Sequence, residues 1–266
     1  MTQDSGGYQD NPFVARLYDQ VVPYRDRPDI EFFMDLAQES GGPILEVGCG
    51  TGRVLIPTAR AGLQITGLDL SQHMLDVCRV KLENEPPEVQ DRVTLIQDDM
   101  RDFSLGKTFS LVTTPFRPFQ HLLTVEDQIS CLTSIRNHLE PGGALILDIF
   151  NPSLQALTAD NLGEEIGLEP EFTTPEGIKV LRFDKAVSRD LINQIIQVEL
   201  IYYLTHPDGR KERLVHAFPL RYLFRFEAEH LLSLCGFEVE DLYADYQKNP
   251  LGSAYPGELI FVARAC

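Results

Sequence analysis

The chain has 266 residues, 40 of them acidic and 23 basic, for a formal net charge of −17, and 43% are hydrophobic. A chain of this length buries an ample core without metal or disulfide staples, and so negative a charge repels nucleic-acid phosphates and anionic membrane surfaces, so neither is expected as a partner. Cys49, Cys78, Cys131, Cys235 and Cys266 are scattered without a CxxC pair, and the start of the chain lacks a basic-then-apolar leader; we read a cytoplasmic protein with no membrane span.

The chain opens on FVARLYDQVVPYRDRPDIEFFMDLA, then alternates short apolar runs with amphipathic ones from Pro43 onward: ILEVG, RVLIPTARAG, LQITGLDL, SQHMLDVCRVKLEN. That is βαβα, and it continues through VTLIQ (93–97), FSLVTT (109–114), a helix over 125–139 and ALILDIF (144–150). Nearly continuous apolar strands separated by helices imply a parallel sheet covered on both faces. Ser71 is placed to cap a helix start, and Gly142-Gly143 to follow a helix end.

After Asn151 the rhythm changes to a β meander of three antiparallel strands, IKVLRFDKAV, INQIIQVELIYYL and RKERLVHAFPLRYLF, with HPDGR as a hairpin turn. A helix over 226–236 and the strands FEVEDLYADY and GELIFVARA then return to the main sheet. The expected fold is α/β, a doubly wound, mainly parallel seven-stranded sheet of Rossmann-like type with an inserted antiparallel meander. We divide it into 1–152 (N-terminal helices and nucleotide-binding core), 153–224 (a lid or dimerisation insertion) and 225–266 (completion of the core sheet). Between Asn137 and Ile178 there are acids but no Lys or Arg, which reads as a solvated connection or as a field favouring a cationic substrate.

ILEVGCGTGRV puts Gly48, Gly50 and Gly52 directly after the first strand, where a tight turn lets backbone N–H groups approach a ligand. The spacing is GxGxG, with Arg53 where a dinucleotide fingerprint needs its last glycine. Glu46 would repel a phosphate and suits an amino group instead. The E-x-G-x-G-x-G pattern resembles the class I S-adenosylmethionine (SAM) dependent methyltransferases. Asp69, ending the second strand, offers two oxygens to a vicinal diol, a device that NAD enzymes share. The resemblance further implies that Asp99 of QDDMRDF binds the adenine amino group, that Met100 contributes its backbone amide, and that Met74 of D-x-S-x-x-M-L lies against the adenine ring. Cys49, Leu70 and Thr114 complete the expected cofactor lining. The N-terminal stretch is similar to that of small-molecule enzymes of the glycine N-methyltransferase and amino-sugar N-methyltransferase groups, where an R-x-x-x-Y segment folds over the cofactor. Tyr18 matches that tyrosine and is a candidate for both cofactor binding and catalysis, and Arg27 either binds the cofactor carboxylate or pairs with Asp26, Asp29 or Glu31.

Methyl transfer needs alignment and sometimes a base, but no covalent intermediate. TTPFRPFQHLLT after the fourth strand lacks the [DN]PP[FY] tetrad of amino-directed DNA methyltransferases and the paired glutamates of arginine methyltransferases, and Asp148 and Asn151 do not form the carboxylate set of Mg²⁺-dependent enzymes. A small-molecule acceptor and a metal-free in-line displacement at N or O remain, with His121 as the base facing the acceptor. The meander supplies a lid or a homodimer interface, and Arg221, Tyr222 and Arg225 at its exit either reach the substrate or pair with nearby acids. His73, His138, His206, His216 and His230 are expected at the surface or in hydrogen bonds. Competing readings are an NAD(P)-linked oxidoreductase and a SAM-binding regulator without catalysis.

Overall fold

The computed structural model describes residues 8, 11–25, 27–167 and 170–266. The elements in chain order are α1 (Pro12–Tyr18), α2 (Val22–Arg25), α3 (Asp29–Ser40), β1 (Ile44–Val47), α4 (Leu55–Arg60), β2 (Ile65–Asp69), α5 (Gln72–Glu83), α6 (Pro87–Gln90), β3 (Val93–Gln97) and β4 (Phe109–Thr114). A 3-10 turn (Pro118–His121), α7 (Val125–Asn137), β5 (Leu139–Phe150), α8 (Leu154–Thr158), β6 (Phe172–Thr173), β7 (Lys179–Asp190), β8 (Ile195–Thr205), β9 (Lys211–Arg221), α9 (Arg225–Leu234), β10 (Phe237–Tyr243) and β11 (Glu258–Ala265) follow.

The main sheet runs β10-β11-β5-β4-β1-β2-β3, parallel except for β11, which pairs antiparallel with both its neighbours. Successive strand residues point to opposite faces, so an unbroken apolar strand needs cover on both sides. Leu45, Val47, Val112, Leu145, Leu147 and Ile149 face one core with Leu132 and Ile135 of α7 and Leu231 and Leu232 of α9. Ile44, Leu111, Ile146 and Ile260 face the other, with Phe32 and Phe33 of α3, Leu55 and Ile56 of α4 and Leu75 of α5. β1 is central, and the chain moves from it outward in both directions, which leaves a crevice at the carboxyl ends of β1 and β4.

The second sheet, β6-β7-β8-β9, is antiparallel throughout. Its three long strands are those expected, with Gly209 in the turn at φ +85°, and the two-residue β6 adds a fourth. Leu17 and Val21 pack against Val180, Leu200, Tyr202 and Phe218, so the N-terminal segment is held under this sheet. Glu165 and Glu171 of the acidic stretch pair with Arg213 and Lys179 of the meander.

One boundary differs from expectation. The helix expected over 125–139 stops at Asn137, and Gly142-Gly143 lie inside β5 instead of after a helix. His138 ends the helix because both its ring nitrogens are taken, by Ser134 O at 2.7 Å and by Leu105 N at 3.0 Å, while its carbonyl accepts from Phe109 N. Leu139 then pairs with Phe109 but Ala144 with Leu111, so 140–143 bulge out of register, and Gly142 takes φ +77° there. Among the described residues no helix is long and apolar enough to cross a membrane.

Gly67 in β2 has no room for a side chain: a Cβ would run into Leu55 Cδ1 and lie 2.7 Å from Cys49 Sγ. Gly67→Ala should therefore lower stability by about 1–3 kcal/mol through overpacking, read as a reduced urea midpoint with unchanged slope. An unchanged midpoint would mean that α4 shifts off the sheet without cost.

Candidate active site

The turn after β1 is folded back by Gly48 N and Cys49 N, which both donate to Leu68 O at 2.7 and 3.1 Å. Gly48 and Gly52 sit at φ +74° and +78°, and a Cβ on either would lie 2.6 Å from Pro118 Cβ or 2.5 Å from Cys78 Sγ, so only glycine fits. Asp69, closing β2, ties this turn to the start of α5: its carboxylate accepts from Gly50 N and from Ser71 N, each at 2.8 Å. Burial raises the Asp69 pKa, and those backbone N–H bonds oppose the rise. Ser71 caps α5 as expected, and its hydroxyl also donates to Tyr8 O at 2.7 Å.

Behind the turn Glu46 is almost fully buried, and its Oε2 has no hydrogen-bond partner among the described residues. Burial pushes its pKa up to about 8, so in this environment the carboxyl holds its proton at neutral pH. The nearest charge of the turn, Arg53, is spent on Asp29 in a two-pronged pair of 2.6 and 2.7 Å. Arg27 is spent similarly: it donates to Asp29 Oδ2 at 3.0 Å, to Glu258 at 3.2 Å and to the Tyr246 hydroxyl, and its guanidinium lies 4.6 Å from the centre of the Phe116 ring. Glu258 also takes Arg117 in a bidentate pair of 2.5 and 2.7 Å. Asp148, fully buried, accepts from Phe116 N at 3.0 Å and from the Tyr246 hydroxyl at 2.9 Å, and burial pushes its pKa up to about 6. These contacts fix Phe116 and Arg117, two successive non-glycine residues at φ +64° and +70°.

A cavity of about 830 Å³ opens at the carboxyl ends of the central strands. Of the expected site residues, Tyr18, Gly48, Gly50, Asp69, Leu70, Met74, Asp99, Met100 and His121 line it. Glu46, Cys49, Gly52, Thr114 and Arg27 do not. Cys49 and Gly52 shape the turn from beneath. The Thr114 hydroxyl donates to Ile146 O at 3.2 Å inside the sheet, and Arg27 is turned to its carboxylates; the Asp26 pairing considered for it falls outside the described residues. Asp99 carries Arg101 on its carboxylate, at 2.5 Å to Nη2, which lowers its pKa. Arg221 lines the cavity while donating to Leu123 O and Glu227; Tyr222 is buried, and Arg225 pairs with Glu229 outside.

At the end of the 3-10 turn after β4, His121 meets Tyr8 and Phe218 at ring-centre distances of 5.7 and 5.3 Å. Burial pushes its pKa down to about 4, so it is a neutral imidazole at physiological pH. The second sheet supplies part of this wall: Ile192, Asn193 and Ile195 from the β7–β8 hairpin, and Phe218 and Pro219 from β9.

The segment PFRPFQHL (115–122), expected as the wall facing the acceptor, does line the cavity through Pro115, Phe116, Pro118, His121 and Leu122, whereas sequence reasoning missed Tyr8 and Phe218 and misplaced His216. That histidine was expected at the surface or hydrogen-bonded, but it is fully buried and neither ring nitrogen has a partner. The reason is strand parity. His216 shares the inward face of β9 with Leu214, Phe218 and Leu220, a period of two that was readable in LVHAFPL. His138 and His206 do make the expected bonds.

With this geometry in place, comparison with known proteins is informative. Residues 44–143 match a methyltransferase-domain family model. The dTDP-3-amino-3,4,6-trideoxy-alpha-D-glucopyranose N,N-dimethyltransferase of Streptomyces venezuelae is 37% identical over 105 residues, which is 40% of this chain and 41% of that one. The CcbJ methyltransferase structure from Streptomyces caelestis shares the fold over 98% of both chains, with a TM-score of 0.80 at 24% identity. Streptomyces venezuelae DesVI does so over 97% and 99%, with a TM-score of 0.73 at 23% identity. The chain spans about half the length of the curated relatives it matches. The matched span is a class I methyltransferase domain of the SAM-dependent type that its motifs implied.

Asp29 is fully buried beneath two guanidiniums. Asp29→Asn should cost about 3–5 kcal/mol, because it leaves those cations short of a carboxylate in a desolvated place. Denaturant titration reads this, and a loss under about 1 kcal/mol would mean that the network is solvated and contributes little.

Proposed function

We propose that this chain, built on a class I methyltransferase domain, transfers a methyl group from SAM to a nitrogen of a small metabolite, with an amino sugar as acceptor. The observation that carries this reading is a cavity that brings the glycine turn and the Asp69 and Asp99 carboxylates together with the rings of Tyr8, Tyr18, His121 and Phe218. The residues lining the cavity fit the cofactor: Asp69 is placed for ribose hydroxyls, Leu70 and Met74 for the flat face of adenine, and Asp99 and Met100 for its edge; we assign the partnerless Glu46 oxygen, which lies behind the turn and off the cavity wall, to the cofactor's ammonium. When bound, SAM supplies an electrophilic methyl on a cationic sulfonium. A dinucleotide fits worse, since its pyrophosphate would meet the Asp69 carboxylate while Arg53 is locked on Asp29.

The chain's own part is alignment and exclusion of water. Tyr18, Phe116 and Pro118 wall the cavity together with Ile192, Asn193 and Ile195 of the meander hairpin. A hydroxyl acceptor needs a base as its proton leaves, and burial weakens His121 for that task. An amine reacts from its free-base form and asks only for a neutral hydrogen-bond acceptor, which His121 is. The naming of relatives as N,N-dimethyltransferases of dTDP-amino sugars supports the same choice. Methyl transfer from labelled SAM to a panel of amino sugars and phenols tests the reading. Transfer to phenols alone would overturn the nitrogen assignment, and binding of NAD without binding of SAM would overturn the whole.

Because Glu46 is protonated below about pH 8 and an ammonium beside it favours the carboxylate, SAM binding at pH 7 should release close to one proton. Calorimetry in buffers of different ionisation enthalpy measures this, and Glu46→Gln should abolish the release; a buffer-independent enthalpy in the wild type refutes the contact.

For an amine acceptor the rate should rise with pH up to the amine's own pKa, since His121 stays neutral above about 4 and adds no limb in that range. His121→Asn should keep this profile and lose about tenfold or less in kcat. Disappearance of the limb in the variant would identify His121 as the titrating base.

A further inference from the structure

His216 stands on the inner face of β9, directly across the ladder from Leu200 on β8. Its neighbours on that face, Leu214, Phe218, Leu220, Leu200 and Tyr202, are apolar or aromatic, and the buried Arg182 of β7 lies on the same face opposite Tyr202. Its side chain is fully buried, and Nδ1 and Nε2 both lack a hydrogen-bond partner. Elsewhere this chain satisfies a buried imidazole: His138 uses both nitrogens. An unpartnered buried polar group costs about 1–3 kcal/mol, and a phenyl ring at the same place would avoid that cost. Packing alone therefore does not account for a histidine here.

What surrounds it does. The His216 ring centre is 4.7 Å from that of Tyr8 and 4.6 Å from that of Phe218, and both rings line the cavity. Those same two rings are the ones in contact with His121. His216 thus lies one ring behind the cavity wall, on the acceptor side.

We propose that His216 is an acceptor-binding residue: where the Tyr8 ring yields its place to the substrate, His216 and His121 face one acceptor from two elements and hydrogen-bond its ring substituents. This rests on the amino-sugar reading above. Burial, with His121 nearby, pushes the His216 pKa down to about 3, so both rings are neutral. Each neutral imidazole offers one N–H donor and one acceptor nitrogen. That pattern complements hydroxyl and amine groups, which also donate and accept, and it does not suit a carboxylate or phosphate, which would need donors only. The chemical class selected is a neutral amino alcohol on a saturated ring.

The test uses the whole protein, labelled with ¹⁵N-histidine and saturated with S-adenosylhomocysteine, to which dTDP-3-amino-3,6-dideoxy-α-D-glucopyranose is added. The His216 ring nitrogen signals should shift on addition of the sugar. His216→Phe, which keeps the ring and removes both nitrogens, should raise KM for this sugar by about tenfold or more, the size of one or more lost hydrogen bonds, with kcat and S-adenosylhomocysteine affinity near wild type and no drop in Tm. His216→Gln should recover part of the loss. If S-adenosylhomocysteine binds but the sugar leaves the His216 signals unmoved, or if His216→Phe leaves KM unchanged, the proposal fails. If His216→Phe does not fold, the wild-type spectra alone decide. Failure of the wild type to bind S-adenosylhomocysteine at all would instead overturn the methyltransferase reading, and this proposal with it.

Discussion

One buried carboxylate holds the site together. Asp29, at the start of α3, is shared between Arg53 of the glycine turn and Arg27 of the N-terminal segment. Arg27 is shared in turn with Glu258 of β11, and Glu258 with Arg117 of the loop after β4. Charges alternate along this chain of contacts, so Asp29, Arg27 and Glu258 are each paired on more than one side, a condition under which desolvated ions are tolerated. Four segments far apart in sequence are fixed at once. The left-handed Phe116 and Arg117 persist because this network over-determines them, and their conformation sets Pro118 against Gly48, which has no Cβ to oppose it.

From that frame the two ends of the cavity follow from different physics. The glycine-turn end is a consequence of the parallel sheet: β1 and β2 deliver Gly48, Gly50 and Asp69 at their carboxyl ends, where the turn is folded back on Leu68 O and the Asp69 carboxylate and lines the crevice with backbone. The rest of the cavity wall is a consequence of the second sheet, which contributes Phe218 and the β7–β8 hairpin to the lining and packs against the N-terminal segment. The cofactor side thus belongs to the shared fold, while the acceptor side depends on particular residues of the meander.

This division also explains what the sequence made legible. Unbroken apolar runs and the spacing of Gly48, Gly50, Gly52, Asp69 and Asp99 are local patterns, each readable within a few residues, and they led to the seven strands and to the glycine-turn end of the cavity. Arg27, a candidate for the cofactor, depends on Glu258, 231 positions away, so nothing local could decide it. Gly142-Gly143 had the composition of a helix stop, but the neighbouring edge of β4 captured them into a bulged strand. Tyr8 lies in a stretch without periodicity, and Phe116 acquires its position from Asp148 and Arg27. His216 is the instructive case, since its parity on β9 was in plain view; what the sequence lacked was knowledge of which face of the meander turns inward.

The polarity of the cavity bears on the proposed chemistry. Transfer of a methyl group from a sulfonium to an amine moves a positive charge along the cavity without creating or destroying one, so the walls need to tolerate a cation along the path and do not need to supply an ion. The uncharged rings of Tyr8 and Tyr18 line that path, and neutral His121 and His216 add no charge to oppose it. A hydroxyl acceptor would instead have its proton removed inside a pocket whose imidazoles are held neutral by burial. The same desolvation that leaves His216 without partners therefore makes the pocket a poor place for a general base and a suitable one for an acceptor that brings its own lone pair.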